Sequence, residues 1–197
     1  MTFGRGKADL LQAVDEEGSI SAAGRRMVVM TSDLFRAQQT AHAFADILGL
    51  PVTCDQRLRE RSFGDWEGIP VEELAQRYPE DYRSWAEFRG GELKYGAEPK
   101  EEVGRRGVEA LNDWAFRAGS DTDLYVFSHG AWISQTLQTL LGMADAHGDF
   151  ADILSMRNAH WVRLIPLEIG STLRWRLMDY NHGPAIADSE EWEHPSL

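Results

Sequence analysis

The apolar positions of the chain fall into periodic runs separated by polar turns. Lys7–Glu17 (KADLLQAVDEE) places Leu10, Leu11 and Val14 on one helical face, and Gly18 ends it, so a first helix is expected there. Met27–Thr31 (MVVMT) is short, apolar and β-branched, and reads as a buried strand. It runs into Ser32-Asp33, residue types favoured as helix N-caps, and Leu34–Leu48 keeps helical periodicity up to Gly49. The same unit recurs downstream: Asp123–Phe127 (DLYVF) is the strand, Ser128-His129-Gly130 the turn, and Ala131–Leu141 the apolar helix before Gly142. Two strand-turn-helix units predict an α/β fold with a mainly parallel sheet and helices on both faces. In such a sheet, ligands bind beyond the carboxyl ends of the strands, so both turns are expected to face one site.

The rest of the pattern fills in around this frame. Lys100–Phe116 reads as a helix with Val103, Val108, Leu111 and Trp114 as core contacts. Trp161–Ile169 and Leu173–Tyr180 flank Gly170-Ser171 and predict an antiparallel hairpin at the sheet edge. The polar stretch from about Arg57 to Glu101 holds Trp66, Tyr78, Tyr82, Trp85, Phe88 and Tyr95. It is read as a loop followed by short helices that wall the site, with residues 66–100 as a lid-like insertion. Core packing accounts for most of its aromatic rings. Gly183-Pro184 opens an acidic tail.

Composition narrows the setting. With 197 residues and 43% hydrophobic content, the chain supports one core, so residues 1–197 are read as a single domain. The formal charge of −12 argues against nucleic acid or an anionic membrane as partner. It also requires that any anionic ligand be held by a local cluster of arginines. Cys54 is the lone cysteine, which excludes a disulfide framework and fits a reducing compartment. No apolar run approaches membrane-spanning length, and a cytoplasmic location is expected. The oligomeric state stays open, a dimer included.

Three constellations carry candidate chemistry. Arg36 falls in the first turn of the helix after Ser32-Asp33, where its guanidinium adds to free backbone N–H groups and the helix dipole; that combination suits phosphate or carboxylate. The same pattern also fits a solvated arginine paired to an acid. Glu60 sits among Arg57, Arg59 and Arg61. A carboxylate beside cations normally stays ionised, and a docked dianion turns it into a proton donor. A surface ion-pair loop has the same spacing. His129 closes an apolar strand and opens a helix, so it is presented for use as a base, an acid or a donor to an anion, or else is satisfied by backbone. Ser128 has Gly130 two residues after it but Val126 two before, half of a G-x-S-x-G elbow. His42, His147, His160, His182 and His194 show no metal-ligand spacing, so no metal and no cofactor are expected.

Taken together, TSDLFRAQQTA, LRERSFGDWEG and VFSHG, in this order, resemble the histidine phosphatase (phosphoglycerate mutase-like) superfamily. The resemblance runs from about Met27 to Gly142 and extends to Asn158–Trp161 (NAHW). It implies that Arg36 is the second phosphate-binding arginine, Glu60 the proton donor and His129 the second catalytic histidine. Ser32, Arg59 and Gly130 join Arg36 as candidate substrate contacts. Ile20–Arg26 (ISAAGRR) is similar to the stretch that follows the family's nucleophile loop.

The resemblance breaks at the nucleophile. The family reaction starts at an Arg-His-Gly motif, and residues 1–26 contain no histidine. Gly4-Arg5-Gly6 is the nearest remnant, which makes Arg5 a candidate anion contact. The segment is either remodelled or incomplete. The expected function is therefore an enzyme on a small phosphorylated or carboxylated substrate, hydrolysing or transferring a phosphomonoester by an altered mechanism. A repurposed proton-transfer lyase or isomerase and a non-catalytic pseudophosphatase are the alternatives. The retention of Arg36, Glu60 and His129 favours an enzyme.

Overall fold

The computed structural model describes residues 25–143, 156–169 and 172–183. The expected Lys7–Glu17 helix, Arg5 and the acidic tail lie outside them.

Strand β1 (Arg26–Thr31) is the centre of a three-stranded parallel sheet, with β2 (Val52–Cys54) on one side and β3 (Thr122–Phe127) on the other. Its side chains alternate between two apolar layers. Val29 packs with Ala41, Phe44 and Ala45 of helix α1 (Phe35–Ala45), joined by Val52, Tyr125 and Phe127. Met30 packs in the opposite layer, with Val28, Leu124 and Val126, against two further helices. These are α4 (Lys100–Ala118), which gives Val103, Ala110 and Leu111, and α5 (Gly130–Leu140), which gives Trp132. Helices on both faces explain why the two strands read as apolar runs without polar alternation. The fold is α/β with a parallel sheet, as the sequence pattern implies.

The element ends differ from expectation by one or two residues, apart from α1, which gives way to a 3-10 turn at Asp46–Leu48. Strand β2 was not anticipated; three residues are too few for a periodic signal. The C-terminal hairpin forms from β4 (Trp161–Ile169) and β5 (Thr172–His182). Among the described residues it is a ladder of its own and is not hydrogen-bonded to the parallel sheet, which corrects the expected edge position. Leu164 and Trp175 dock it on the core, and the Trp175 indole donates to Asn112 Oδ1 at 2.9 Å. No described helix is long and apolar enough to cross a membrane.

Between β2 and α4 lie two short helices, α2 (Val71–Arg77) and α3 (Pro79–Ala86). Their aromatic residues pack mainly on one another. Trp66 is buried and stacks on Tyr95 and Tyr78 at 5.0 and 5.9 Å between ring centres, with Trp85 edge-on at 6.2 Å. Phe88 is the exception and is exposed. A buried Arg61–Glu92 ion pair of 2.6 Å ties this segment to the loop that carries Glu60.

Helices α4 and α5 meet through glycine. A Cβ at Gly104 or Gly107 would overlap the hydroxyl of Thr139 or Thr136. Gly107→Ala is therefore expected to destabilise the fold by roughly 1–3 kcal/mol through overpacking. This holds although alanine favours the helix by about 1 kcal/mol. Urea unfolding reads the result, and an unchanged midpoint would contradict the close approach.

Candidate active site

The site grows from the register of β1 and β3. Thr31 lies opposite Phe127, and the Ser32 N–H donates to the Phe127 carbonyl at 3.0 Å, so the two turns are pinned together beyond the carboxyl ends of the strands. The turn after β1 leads into α1 and Arg36. The turn after β3 presents His129 and leads into α5. The loop after β2 returns beside them, because Ser128 Oγ donates to the Leu58 carbonyl at 2.7 Å. That contact gives Ser128 a structural role in place of a nucleophile elbow.

Ser32 is buried, and its Oγ accepts from Leu34 N–H at 3.2 Å. The expected capping by Ser32-Asp33 does not form: α1 starts at Phe35, and the cap residue Leu34 offers no side-chain bond. Asp33 instead takes both arms of Arg59, at 2.7 and 2.5 Å. The Arg59 hydrogen bond holds the Asp33 carboxyl below the usual carboxylate range, against a smaller effect of burial. Arg59, expected to contact substrate, is thus engaged with Asp33. Its neighbours are engaged as well. Arg57 pairs with Asp55 and Asp113, and Arg61 pairs with Glu92. Burial pushes the Asp55 carboxyl up, but hydrogen bonds from Arg57 and the Trp114 indole carry it down to about 2.

Arg36 differs from these arginines. It is exposed in the first turn of α1, and among the described residues its guanidinium has no hydrogen-bond acceptor. The backbone N–H groups of Phe35 and Arg36 also lack one. Among the described residues nothing occupies the donors of the first turn of α1, an arrangement that suits an anion.

The first turn of α5 is not. Glu60 Oε1 accepts from Trp132 N–H at 3.0 Å and from Arg61 N–H at 2.9 Å. Glu60 Oε2 accepts from Ala131 N–H at the longer distance of 3.4 Å. Glu60 is already the anion on this helix N-terminus. Gly130 is exposed as the first residue of α5, and a Cβ there would meet nothing nearer than the Met156 carbonyl at 4.0 Å. Its side-chain position is open, so space does not require glycine.

His129 sits between these groups. It is 8% exposed, and its Nε2 has no hydrogen-bond partner among the described residues. Burial is the main cause that pushes its pKa below the ordinary 6.5; the Glu60 carboxylate opposes this, and the charges of Arg36 and Arg106 add to it. Arg36, Glu60 and His129 thus share one neighbourhood. At neutral pH the imidazole is uncharged and able to take a proton.

Two participants escaped the sequence reading. Trp132 donates its indole N–H to the Arg57 carbonyl at 2.6 Å, and Arg106 of α4 donates to the same loop. The available signal was periodicity: Arg106 lies three residues after Val103 and four before Ala110, both fully buried, so it projects from the inner side of the helix. A separate cavity of about 410 Å³, lined by Val108, Asn112, Leu173 and Trp175, lies away from Arg36, Glu60 and His129. Among the described residues no cluster of His, Cys, Asp and Glu gathers to hold a metal.

Residues 6–176 match the family described as Histidine phosphatase superfamily (branch 1). The chain is 29% identical over 187 residues to glucosyl-3-phosphoglycerate phosphatase of Mycolicibacterium vanbaalenii, covering 86% of this chain and 80% of that protein. It is 39% identical over 120 residues to a probable phosphoglycerate mutase, GpmB, of Yersinia enterocolitica, covering 58% of this chain and 53% of that protein. The native structure of mycobacterial glucosyl-3-phosphoglycerate phosphatase superposes with a TM-score of 0.66 at 26% identity, over 91% of this chain and 86% of that one. Bacillus stearothermophilus YhfR, at 22% identity and a TM-score of 0.66, shares the fold over 80% of this chain and 74% of that one.

The depressed His129 pKa has a thermodynamic consequence. As pH falls through 6.5 the unfolded chain binds this proton before the folded one, so folding loses stability until the folded midpoint is passed. The stability of wild type relative to His129→Gln is therefore expected to decline as pH drops below 6.5. The His129 imidazole should titrate below 6.5 by NMR and shift upward when inorganic phosphate is added. A midpoint at or above 6.5 in the free protein would contradict the burial argument.

Proposed function

We propose that this chain, which belongs to the histidine phosphatase superfamily (branch 1) and is an enzyme, cleaves the phosphate ester of a small phosphorylated molecule without forming a phosphohistidine. The observation that carries this reading is the buried Nε2 of His129, without a partner among the described residues and within electrostatic reach of both the Arg36 cation and the Glu60 carboxylate. Relatives named for glucosyl-3-phosphoglycerate and phosphoglycerate support a small anionic substrate whose phosphate sits on an aliphatic alcohol.

Phosphoryl transfer needs charge neutralisation and alignment more than covalent machinery. The Arg36 guanidinium and the N–H groups of Phe35 and Arg36 hold the phosphate oxygens. Neutral His129 takes a proton from a water molecule whose oxygen attacks phosphorus in line. The bond from phosphorus to the ester oxygen breaks, and that oxygen leaves as the alcohol with a proton that the Glu60 carboxylate takes from the docked monoanionic ester and passes on. Glu60 Oε2 is the oxygen suited to give it, because its one backbone bond is long. The imidazolium then loses its proton to solvent, Glu60 is again a carboxylate, and phosphate departs. The segment of residues 66–100 walls the site on the side of the leaving group.

Direct attack by water uses groups that the site offers, a neutral imidazole as base and an arginine as cation. An aryl ester, whose leaving group needs no acid, gains little from Glu60 and makes few contacts with the wall. Slow or undetectable turnover of p-nitrophenyl phosphate is therefore expected, with no acid-labile phosphohistidine in a rapid-quench experiment. Fast turnover with phosphate trapped on histidine would overturn this mechanism.

Binding gives a second check. Arg36→Ala is expected to weaken inorganic phosphate binding by roughly 1.5–3 kcal/mol, the scale of a charge-assisted hydrogen bond, with little effect on folding. Calorimetry showing equal affinity in wild type and mutant would remove Arg36 from the site.

A further inference from the structure

The loop that carries Glu60 has little regular structure of its own. Apart from a single 3-10 turn at Gln56–Leu58, it is held by donors from outside. The Arg57 carbonyl accepts from the Trp132 indole and from Arg106, and the Leu58 carbonyl accepts from Ser128 Oγ. The Arg59 and Glu60 carbonyls accept from Arg106, at 2.7 and 3.3 Å. We propose that Arg106 is the positioning residue for Glu60: from α4 it fixes the loop at residues 57–60 and thereby seats the Glu60 carboxylate on the first turn of α5, beside His129.

A guanidinium carries five N–H hydrogens in a rigid plane. Arg106 places all of them. Nη1 serves the carbonyls of Arg57 and Arg59, both at 2.7 Å, while Nη2 serves the Glu60 carbonyl and Glu98 Oε2, and Nε serves Glu98 Oε1. The paired bonds to Glu98, at 2.8 and 2.9 Å, fix the plane of the guanidinium, and that plane aims the other hydrogens at the loop. The Arg106 side chain is only 15% exposed, so water does not readily replace these donors.

Glu98 completes the clamp. Its carbonyl accepts from Arg61 Nε at 2.7 Å, and its own N–H donates to the Ser62 carbonyl at 2.8 Å. The loop is therefore gripped on both sides of Glu60. Burial pushes the Glu98 carboxyl up, and Arg106, with the Ser62 N–H and the charge of Arg61, more than reverses this, so Glu98 stays ionised at neutral pH. The charge of Arg106 also acts on His129, in the same direction as burial. Lysine keeps the charge but has three donors and no planar fork, so it cannot hold Glu98 by two bonds while serving three carbonyls.

For the reaction itself this inference rests on the proposed role of Glu60. For the geometry it stands independently. The test is a double-mutant cycle with 3-phosphoglycerate as an aliphatic phosphate monoester. Arg106→Lys in the wild-type background is expected to lower kcat by about 10²-fold, the cost of misplacing a catalytic group by an ångström. Inorganic phosphate affinity should be unchanged. On a Glu60→Gln background the same substitution should change kcat by no more than about twofold, since its effect passes through Glu60. An equal loss in both backgrounds would overturn the proposal.

Hydrogen exchange gives the readout that needs no turnover. Arg106→Lys should speed exchange at the Trp132 amide, which donates to Glu60, and leave Leu137 in the middle of α5 protected. A folded variant with unchanged Trp132 exchange would also overturn the proposal. If 3-phosphoglycerate is not cleaved but Trp132 exchange rises, the phosphatase reading of Glu60 is what fails, and the clamp survives. Should Arg106→Lys not fold, Glu98→Gln removes the same clamp from its other end and is read in the same way.

Discussion

Helix α5 begins without a side-chain cap of its own, and the Glu60 carboxylate supplies what is missing. Helix N-termini leave N–H groups without partners, and an anion placed there adds roughly 0.3–1 kcal/mol of stabilisation from the helix dipole. The functional weight of this contact exceeds its energy. It fixes the carboxylate of one loop to the helix that His129 opens, so Glu60 and His129 are held beside each other. Arg36 joins them because Ser32 is hydrogen-bonded to the end of β3. The sheet register, the cap and the loop clamp therefore define a single geometry.

The charge distribution follows the same logic. A chain with formal charge −12 cannot attract an anion by its overall field. The arginines near Glu60 do not form the cationic pocket that their clustering suggests. Arg57, Arg59 and Arg61 each have a carboxylate partner and serve to hold the loop. Among the described residues, Arg36, the N–H groups at the start of α1 and Nε2 of His129 have no such partner. This division separates the arginines that hold the loop from the one proposed to meet phosphate.

Much of the architecture was legible in the sequence because its signals are local. Apolar strands, polar turns and glycine stops placed β1, α1, β3 and α5 to within a few residues. The motifs also led to the turns that the fold brings together. Non-local pairing was not legible. Asp33 has the chemistry of an N-cap, but Arg59, distant in sequence, takes its carboxylate. Glu60 reads as an acid in a loop, and only the fold shows that its oxygens cap a helix some seventy residues downstream. Spacing from Val103 and Ala110 puts Arg106 on the inner side of α4, but its acceptors at residues 57–60 are distant in sequence and only the fold brings them together.

The proposed mechanism passes phosphate directly to water and phosphorylates no histidine. The stereochemical course at phosphorus tests this most directly. An aliphatic phosphate ester made chiral with oxygen isotopes and sulfur, cleaved in isotopic water, reports whether one displacement occurs or two. A single in-line attack by water inverts the configuration, and inversion is the predicted result. Retention would mean that the phosphoryl group first bonded to the protein, and would contradict the account.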